Sequence, residues 1–178
     1  LKEYRLDQVW YMPSGQPPHK RDHDITDVKD RLAMVELAIR HDPDFLLSEF
    51  ETSREGNTYT AQTLRLLKEA YPQHEFFFII GADSLYEIEY WYHPEKIIGV
   101  VPILVADREY SREHREIDEQ ILYLKEKYQG EILKLHCREV DVASKEIRQL
   151  VRDGHSVENY LPEEVEKYII SHHLYQEA

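Results

Sequence analysis

The sequence predicts an α/β fold of three layers, in which helices cover both faces of a mainly parallel β-sheet. Strand-like apolar runs alternate with amphipathic helical stretches along the chain. The run EFFFII at 75–80 is continuously apolar, which is typical of a strand buried on both faces of a parallel sheet. The length of 178 residues suits one domain with a full core, and neither repeat nor linker interrupts it. We therefore predict a single domain over residues 1–178.

Five segments rich in β-branched and aromatic residues predict the strands. Pro13 ends the first of them, and polar or Gly/Pro-rich stretches separate the others. The predicted strands are residues 8–13, 45–51, 75–80, 102–107 and 131–137.

Helical periodicity and capping residues predict the helices. Asp27 is a plausible N-cap, Thr60 caps the second helix, Gly154 ends the sixth, and Pro162 lies in the first turn of the last. The predicted helices are residues 26–43, 61–71, 83–90, a short one from Pro94, 113–129, 143–154 and 161–173. LKEYRLD at 1–7 reads as the last turns of another helix without a start signal, so we expect the sequence to begin inside that helix.

Charge and cysteine content limit the classes of partner. The 22 Lys and Arg against 35 Asp and Glu give a net charge of −13, which argues against nucleic acid and anionic membranes. No apolar run reaches membrane-spanning length, and no signal peptide is visible. The single Cys137 allows no internal disulfide and fits a reducing compartment, so a cytoplasmic location is expected.

Two features follow the apolar run at 75–80. Gly81 permits a ligand to approach the backbone, and Asp83 could bind a ribose or an adenine, or could cap the next helix. Trp91 and Tyr92 could stack on a planar ligand, although core packing is the more common fate of such aromatics.

Three further junctions between strands and helices offer anion contacts. Thr60 is either a helix-start anion site or a plain N-cap. Ser144, Lys145 and Arg148 form either a phosphate cradle or a capped surface helix, and Lys20 lies in the basic loop PSGQPPHK. Parallel topology places such junctions at one edge of a sheet, which favours a nucleotide site there. The ten histidines form no metal-binding spacing, so no metal site is predicted.

The ordered set PSGQPPHK, DRLAMVELA, GNTYTAQTL, FFFIIGADSL, DVASKEIR and YLPEEVEKYI resembles the bacterial nicotinate-nucleotide adenylyltransferases over essentially the whole chain. That resemblance implies a Rossmann-like nucleotidyltransferase fold and the joining of ATP and nicotinate mononucleotide, with Mg²⁺, into deamido-NAD and pyrophosphate. It implies that Thr60 and the Tyr92 backbone bind the nicotinate carboxylate and that Trp91 stacks on the pyridine ring. The residues it implies for ATP and its phosphates are Lys20, Gly81, Asp83, Ser84, Ser144, Lys145 and Arg148.

Two departures from the family pattern matter. The sequence lacks the family's opening GxFDPxHxGH, so we expect the first strand and most of the first helix to be missing. No catalytic histidine is then assigned, Lys20 and Arg148 are supporting cations, and activity of this exact chain is expected to be weak. Ala143 and Lys145 replace hydroxyl residues of the usual ISSTxIR, which reduces the hydroxyl contacts to phosphate.

Three functions stay open at this point: the adenylyltransferase, a non-catalytic nucleotide-binding or interaction protein on the same scaffold, and a related adenylyltransferase that uses phosphopantetheine. Trp91, Tyr92 and Thr60 favour an aromatic acid over phosphopantetheine. A homo-oligomer is compatible with the sequence.

Overall fold

The computed structural model describes residues 1–15, 26–106, 116–137 and 142–176. The chain divides into two compact units, which we name by their place along the sequence. The terminal unit comprises Leu1–Thr58 with Val140–Ala178, and the central unit comprises Tyr59–Glu139. The single domain expected over residues 1–178 stays a prediction.

Helices and strands alternate through the described residues, and this confirms the α/β class. In chain order they are β1 (Val9–Tyr11), α1 (Val28–Ile39), β2 (Phe45–Leu47), α2 (Thr60–Ala70), β3 (Phe78–Gly81), α3 (Ala82–Glu87), a 3-10 turn (Ile88–Tyr90), α4 (Pro94–Ile98), β4 (Ile103–Ala106), α5 (Ile117–Tyr128), β5 (Ile132–Leu135), α6 (Ser144–Arg152) and α7 (Glu163–Ser171).

The strand pairs of the described residues are all parallel, as the sequence predicts, and they form two sheets. In the terminal unit β1 pairs with β2, and Val9 stands opposite Phe45. In the central unit the order is β3-β4-β5, with Ile103 of β4 between Phe78 and Ile132. Within the described residues no ladder joins β1 or β2 to the other three strands.

The core of the central unit surrounds β4, where Ile103, Leu104 and Val105 are fully buried. The prediction that the run at 75–80 is buried on both faces is wrong. Only its end belongs to β3, which is an edge strand of the described sheet with β4 as its one neighbour, and Ile79 is 40% exposed. The strand buried on both faces is β4.

The structure tests the residues that were predicted to begin or end helices. Asp27 caps α1 as predicted, because its carboxylate accepts the N–H of Lys29 at 2.8 Å. Gly154 follows α6 with a φ of 74°, as a glycine at a helix end does. Residues 2–5 form turns, and their hydrogen bonding agrees with the predicted last turns of a helix. The left-handed Arg5 and the hydrogen bond from Leu6 N–H to the Leu1 carbonyl (3.0 Å) have the pattern that ends helices.

Candidate functional site

The first turn of α2 presents N–H groups that lack a side-chain cap within the described part of the chain. Tyr59 is the N-cap residue, and its carbonyl accepts the N–H groups of Gln62 and Thr63 at 2.9 Å each. Thr60 is the first helical residue, so the prediction that it caps this helix is wrong by one position. An uncapped helix N-terminus attracts an anion through its free N–H groups and its dipole.

Trp91 is half-buried at the end of the 3-10 turn. Its ring meets Phe78 edge-on, with centroids 6.4 Å apart and planes at 66°, and it packs against the core of the central unit. Its backbone N–H donates to the Ile88 carbonyl at 3.1 Å and closes the turn. The core alternative is therefore correct for part of this indole, and the residue as a whole is partly exposed.

Tyr92 links Trp91 to the start of α2. Its ring lies 4.5 Å from the Tyr59 ring at 37°, and 4.2 Å from the His93 ring at 77°. Tyr92 is still 56% exposed. Because Tyr59 directly precedes Thr60, this stack places Tyr92 against the residue before Thr60 in the central unit.

Gly81 and Asp83 lie at the end of β3, where α3 begins. A Cβ on Gly81 would lie 2.6 Å from the Asp83 Oδ1, so the carboxylate folds back over the glycine. The N-cap of α3 is Gly81, and Asp83 lies in the first turn without a side-chain capping bond. The capping alternative for Asp83 is therefore wrong. Asp83 is exposed and Ser84 beside it is partly exposed, which leaves both able to meet a ligand.

The start of α6 places Ser144 and Lys145 in its first turn and Arg148 one turn later. The N-cap is Ala143, whose methyl group cannot accept a hydrogen bond. Glu146 accepts the Ala143 N–H at 3.0 Å, which adds a carboxylate beside these cations. Ser144, Lys145 and Arg148 are all exposed, and α6 buries none of its residues.

An aromatic ring orients Arg148. Its guanidinium carbon lies 5.7 Å from the centroid of the Tyr175 ring, and the Tyr175 hydroxyl accepts a hydrogen bond from Thr26 Oγ1 at 3.0 Å. Nearby, the Tyr168 hydroxyl donates to Asp30 at 2.9 Å, so two tyrosines tie the C-terminal residues to the start of α1.

A largely apolar cavity of about 560 Å³ opens beside α6 in the terminal unit. Ser144 and Arg148 contribute to its wall, together with apolar side chains of α1 and α7 such as Met34, Val35 and Ile169. The other guanidinium that lines it, that of Arg31, is directed at backbone carbonyls. It donates to Ser14 at 2.7 Å, to Gly15 at 3.4 Å and to Thr26 at 3.0 Å.

Comparison with known proteins gives one family. A family model described as cytidylyltransferase-like matches residues 1–150. A probable nicotinate-nucleotide adenylyltransferase of Lachnoclostridium phytofermentans is 38% identical over 174 residues, which are 98% of this chain and 86% of the relative. A Clostridium botulinum protein of the same description is 34% identical over 176 residues, covering 99% and 88% of the two chains. The chain belongs to the nicotinate-nucleotide adenylyltransferase family.

Solved structures share the fold of this nicotinate-nucleotide adenylyltransferase family member. The Plasmodium falciparum nicotinic acid mononucleotide adenylyltransferase, complexed with NaAD, matches with a TM-score of 0.75 at 18% identity. The match covers 96% of this chain and 83% of the Plasmodium chain. The expected Rossmann-like nucleotidyltransferase fold is confirmed.

The predicted site residues of this family member divide between the two units. Thr60, Gly81, Asp83, Ser84, Trp91 and Tyr92 belong to the central unit, and Ser144, Lys145 and Arg148 belong to the terminal unit. Lys20 lies outside the described residues.

The sequence did not single out Tyr59, Glu89 or Tyr175. Tyr59 could have been found, because it stands directly before Thr60 in the stretch that carries the resemblance. The contacts of the other two join residues far apart in sequence, which no spacing rule reveals.

Metal-binding clusters and membrane-spanning helices are absent from the described residues. These residues contain no group of three or more His, Cys, Asp or Glu side chains arranged to hold a metal ion. Among them there is also no helix both long and apolar enough to cross a membrane.

Proposed function

We propose that this chain transfers the adenylyl group of ATP to nicotinate mononucleotide, giving deamido-NAD and pyrophosphate in NAD biosynthesis. The observation that carries the proposal is the contact of Tyr92, the neighbour of Trp91 in sequence, with Tyr59 at the uncapped start of α2. An aromatic acid needs a flat apolar wall for its ring and N–H donors for its carboxylate. The pyridine ring stacks on Trp91, and the carboxylate meets Thr60 and the Tyr92 backbone.

Nucleotide contacts are proposed for both units. Asp83 binds a hydroxyl or amino group of the nucleotide, Gly81 lets the ligand approach the backbone, and Ser84 adds a hydroxyl. Ser144, Lys145 and Arg148 hold ATP phosphates, and Lys20 adds a further cation. The absence of a capping oxygen at Ala143 supports this role for α6, because it leaves first-turn N–H groups to an anion.

The chemistry needs no protein nucleophile. A phosphate oxygen of nicotinate mononucleotide attacks the α-phosphorus of ATP, the bond from that phosphorus to the bridging oxygen breaks, and pyrophosphate leaves with the electron pair. The side chains of this protein orient the two substrates and offset the negative charge. A divalent metal accompanies ATP in such enzymes, and we propose Mg²⁺. It fits without a carboxylate cluster, because Mg²⁺ binds largely through substrate phosphates and water.

Compartment and assembly belong to the same proposal. Cys137 is free and exposed, which supports a reducing, cytoplasmic location. Self-association stays a prediction.

The proposal is tested by calorimetric titration of nicotinate mononucleotide into the protein and into Trp91→Ala. We expect binding by the parent and a loss of about 5- to 150-fold in the variant, since stacking on an aromatic ring contributes about 1–3 kcal/mol. The matched control is Trp10→Phe, the other tryptophan, which lies in β1 beside Gln8. Equal affinity of the parent and Trp91→Ala would remove Trp91 from the site.

Acceptor preference and turnover separate the competing functions. The dipole of α2 should favour the carboxylate of nicotinate mononucleotide over the nicotinamide analogue by about 0.3–2 kcal/mol, and phosphopantetheine should not compete. With ATP present, the protein should form deamido-NAD and pyrophosphate in equal amounts. Tight binding without either product would favour the non-catalytic alternative.

A further inference from the structure

Glu89 occupies an unusual position for a carboxylate. It is the middle residue of the 3-10 turn, between the fully buried Ile88 and Tyr90, which is 90% exposed. Its side chain is 26% exposed and points toward α5. Trp91 and Tyr92 directly follow this turn, so its orientation sets where that pair leaves the packed core.

Three donors of α5 converge on a single oxygen of Glu89. Lys127 Nζ lies 2.6 Å from Oε1, the Tyr128 hydroxyl 3.0 Å and the Tyr123 hydroxyl 3.4 Å. Lys127 also donates to the Tyr123 hydroxyl at 2.9 Å. These partners are 34 to 39 residues away in sequence, so the cluster joins two separate elements.

Two aromatic rings lie beside the lysine of this ion pair. Lys127 Nζ lies 5.3 Å from the centroid of the Tyr123 ring and 5.4 Å from that of Tyr128, within the range of cation–π attraction. Lys127, followed by the tyrosine hydroxyls, holds the pKa of the Glu89 carboxyl below its ordinary value of 4.5, so Glu89 is ionised at neutral pH. A charged acceptor with several donors makes stronger hydrogen bonds than a neutral one, which resists rotation of the turn.

We propose that Glu89 is a positioning residue for the acceptor site: by fixing the Ile88–Tyr90 turn on α5, it holds the Trp91–Tyr92 wall where the pyridine ring binds. The inference rests on the proposed function, in which the side chains of Trp91 and Tyr92 form the wall of the acceptor site. Glu89 itself touches no substrate. It limits the freedom of the backbone between Ile88, anchored in the core, and Tyr92, anchored on Tyr59.

The ion pair itself offers a specific prediction. Glu89→Ala removes the acceptor of all three donors, whereas Glu89→Gln keeps an oxygen for the two tyrosine hydroxyls and loses only the charge. We therefore expect a graded loss of nicotinate mononucleotide affinity, about tenfold for Glu89→Ala and a few-fold for Glu89→Gln. The affinity for ATP should stay within about twofold, because the turn carries no predicted ATP contact.

The experiment uses Trp10→Phe as background, so that fluorescence reports Trp91 alone. Nicotinate mononucleotide is titrated into this protein and into its Glu89→Ala, Glu89→Gln and Asp118→Asn derivatives. Asp118 is the matched control, because it forms another ion pair of α5, with Lys134 at 2.9 Å, at a distance from the turn in sequence. We expect Glu89→Ala to change the Trp91 emission of the free protein and to weaken the titration, and Asp118→Asn to change neither.

Each outcome has a defined meaning. If the background protein binds nicotinate mononucleotide and Glu89→Ala binds it equally well, the positioning role is overturned and the proposed function stands. If Glu89→Ala weakens ATP binding as much as acceptor binding, Glu89 acts on general stability and the positioning role is again wrong. If the background protein itself shows no quenching by nicotinate mononucleotide and no binding by calorimetry, the proposed function fails, and this inference fails with it.

If Glu89→Ala does not fold, the variant Lys127→Met still tests the proposal. It removes the ammonium but retains an apolar stem between the two rings, and the two tyrosine hydroxyls can still donate to Glu89. We expect it to weaken acceptor binding by a few-fold with unchanged ATP affinity. Unaltered acceptor binding in a folded Lys127→Met would contradict the proposal.

Discussion

The Trp91–Tyr92 wall of the central unit stands on a packed core, whereas α6 of the terminal unit buries none of its residues. Ile88 before the wall is fully buried, and Glu89 is bonded to three donors of α5. Arg148 of α6, in contrast, is exposed, and the contact described for its guanidinium is the Tyr175 ring.

This difference matches the two kinds of ligand group proposed for the units. Stacking on a planar ring requires a wall held at a fixed distance and angle, so a rigid support is useful there. Phosphate recognition depends mainly on charge and on N–H donors, which tolerate small displacements of a long side chain. Substitutions in the central unit should therefore reduce folding stability or change the shape of the binding wall. Substitutions in the terminal unit should weaken the attraction between its cations and phosphate.

Gly130→Ala should have the largest effect, through folding of the central unit. A Cβ on Gly130, between α5 and β5, would overlap the Ile98 carbonyl oxygen at the end of α4. Because the clash is with backbone, we expect a loss of about 3 kcal/mol in the free energy of unfolding. Thermal denaturation followed by circular dichroism should then show a fall in Tm of roughly 6–12 °C.

The matched control for this change is Gly154→Asn in the terminal unit. Gly154 has a φ of 74° and no heavy atom within 4 Å of a built Cβ, and asparagine tolerates that backbone conformation. Its Tm should therefore change far less than that of Gly130→Ala. Equal losses in the two variants would contradict the view that the central unit is the more tightly packed at these glycines.

Gly81→Ala should act on the ligand and leave folding nearly unchanged. The atom that its Cβ would meet is the Asp83 Oδ1, at 2.6 Å, the mobile end of a side chain. The carboxylate should rotate away, so that affinity for deamido-NAD falls by about tenfold, much as in Asp83→Ala. Calorimetry of both single variants and of the double variant measures this.

The double variant decides the mechanism of the Gly81 effect. If Gly81 matters only through Asp83, adding Gly81→Ala to Asp83→Ala should cost nothing more. Additive losses would mean that Gly81 contributes a backbone contact of its own.

Local signals predicted the parts of the fold that depend on neighbouring residues. Asp27 as the cap of α1, Gly154 after α6 and the parallel pairing all follow from short patterns, and the structure has them. The prediction that the run at 75–80 is buried on both faces was wrong, because the apolar content of a strand does not reveal how many neighbouring strands it has. β3 has one neighbour in the described sheet, so Ile79 stays partly exposed.

The predicted site residues came from strand–helix junctions and from the resemblance, and both depend on the order of short motifs. Thr60 was misplaced by one position as a cap, because a Thr at a helix start suits the N-cap and the first turn alike. The contacts that hold the predicted site residues in place were not predictable from the sequence. Glu89 meets Lys127, and Arg148 meets Tyr175, only after the chain has folded, and neither pair follows a helical or strand period.

Tyr175→Leu should have the smallest effect, because it acts on Arg148 through one weak contact. A cation–π interaction at an exposed site is worth about 0.5–1 kcal/mol, so the affinity for ATP should fall by about two- to fivefold. Arg148→Ala should lose more, about 1.5–3 kcal/mol, since it removes the phosphate contact itself.

The comparison of these two variants needs a control for the hydrogen bonds by which Tyr168 and Tyr175 tie the C-terminal residues to the start of α1. Tyr168→Phe removes the hydrogen bond to Asp30 and leaves the contact between Arg148 and Tyr175 intact. It should bind ATP normally, whereas Tyr175→Leu should be weaker only while Arg148 is present. If Tyr175→Leu still lowers the affinity for ATP in the Arg148→Ala background, Tyr175 supports the terminal unit as a whole. The contrast between a rigid acceptor wall and a phosphate contact with a single support would then need a different cause.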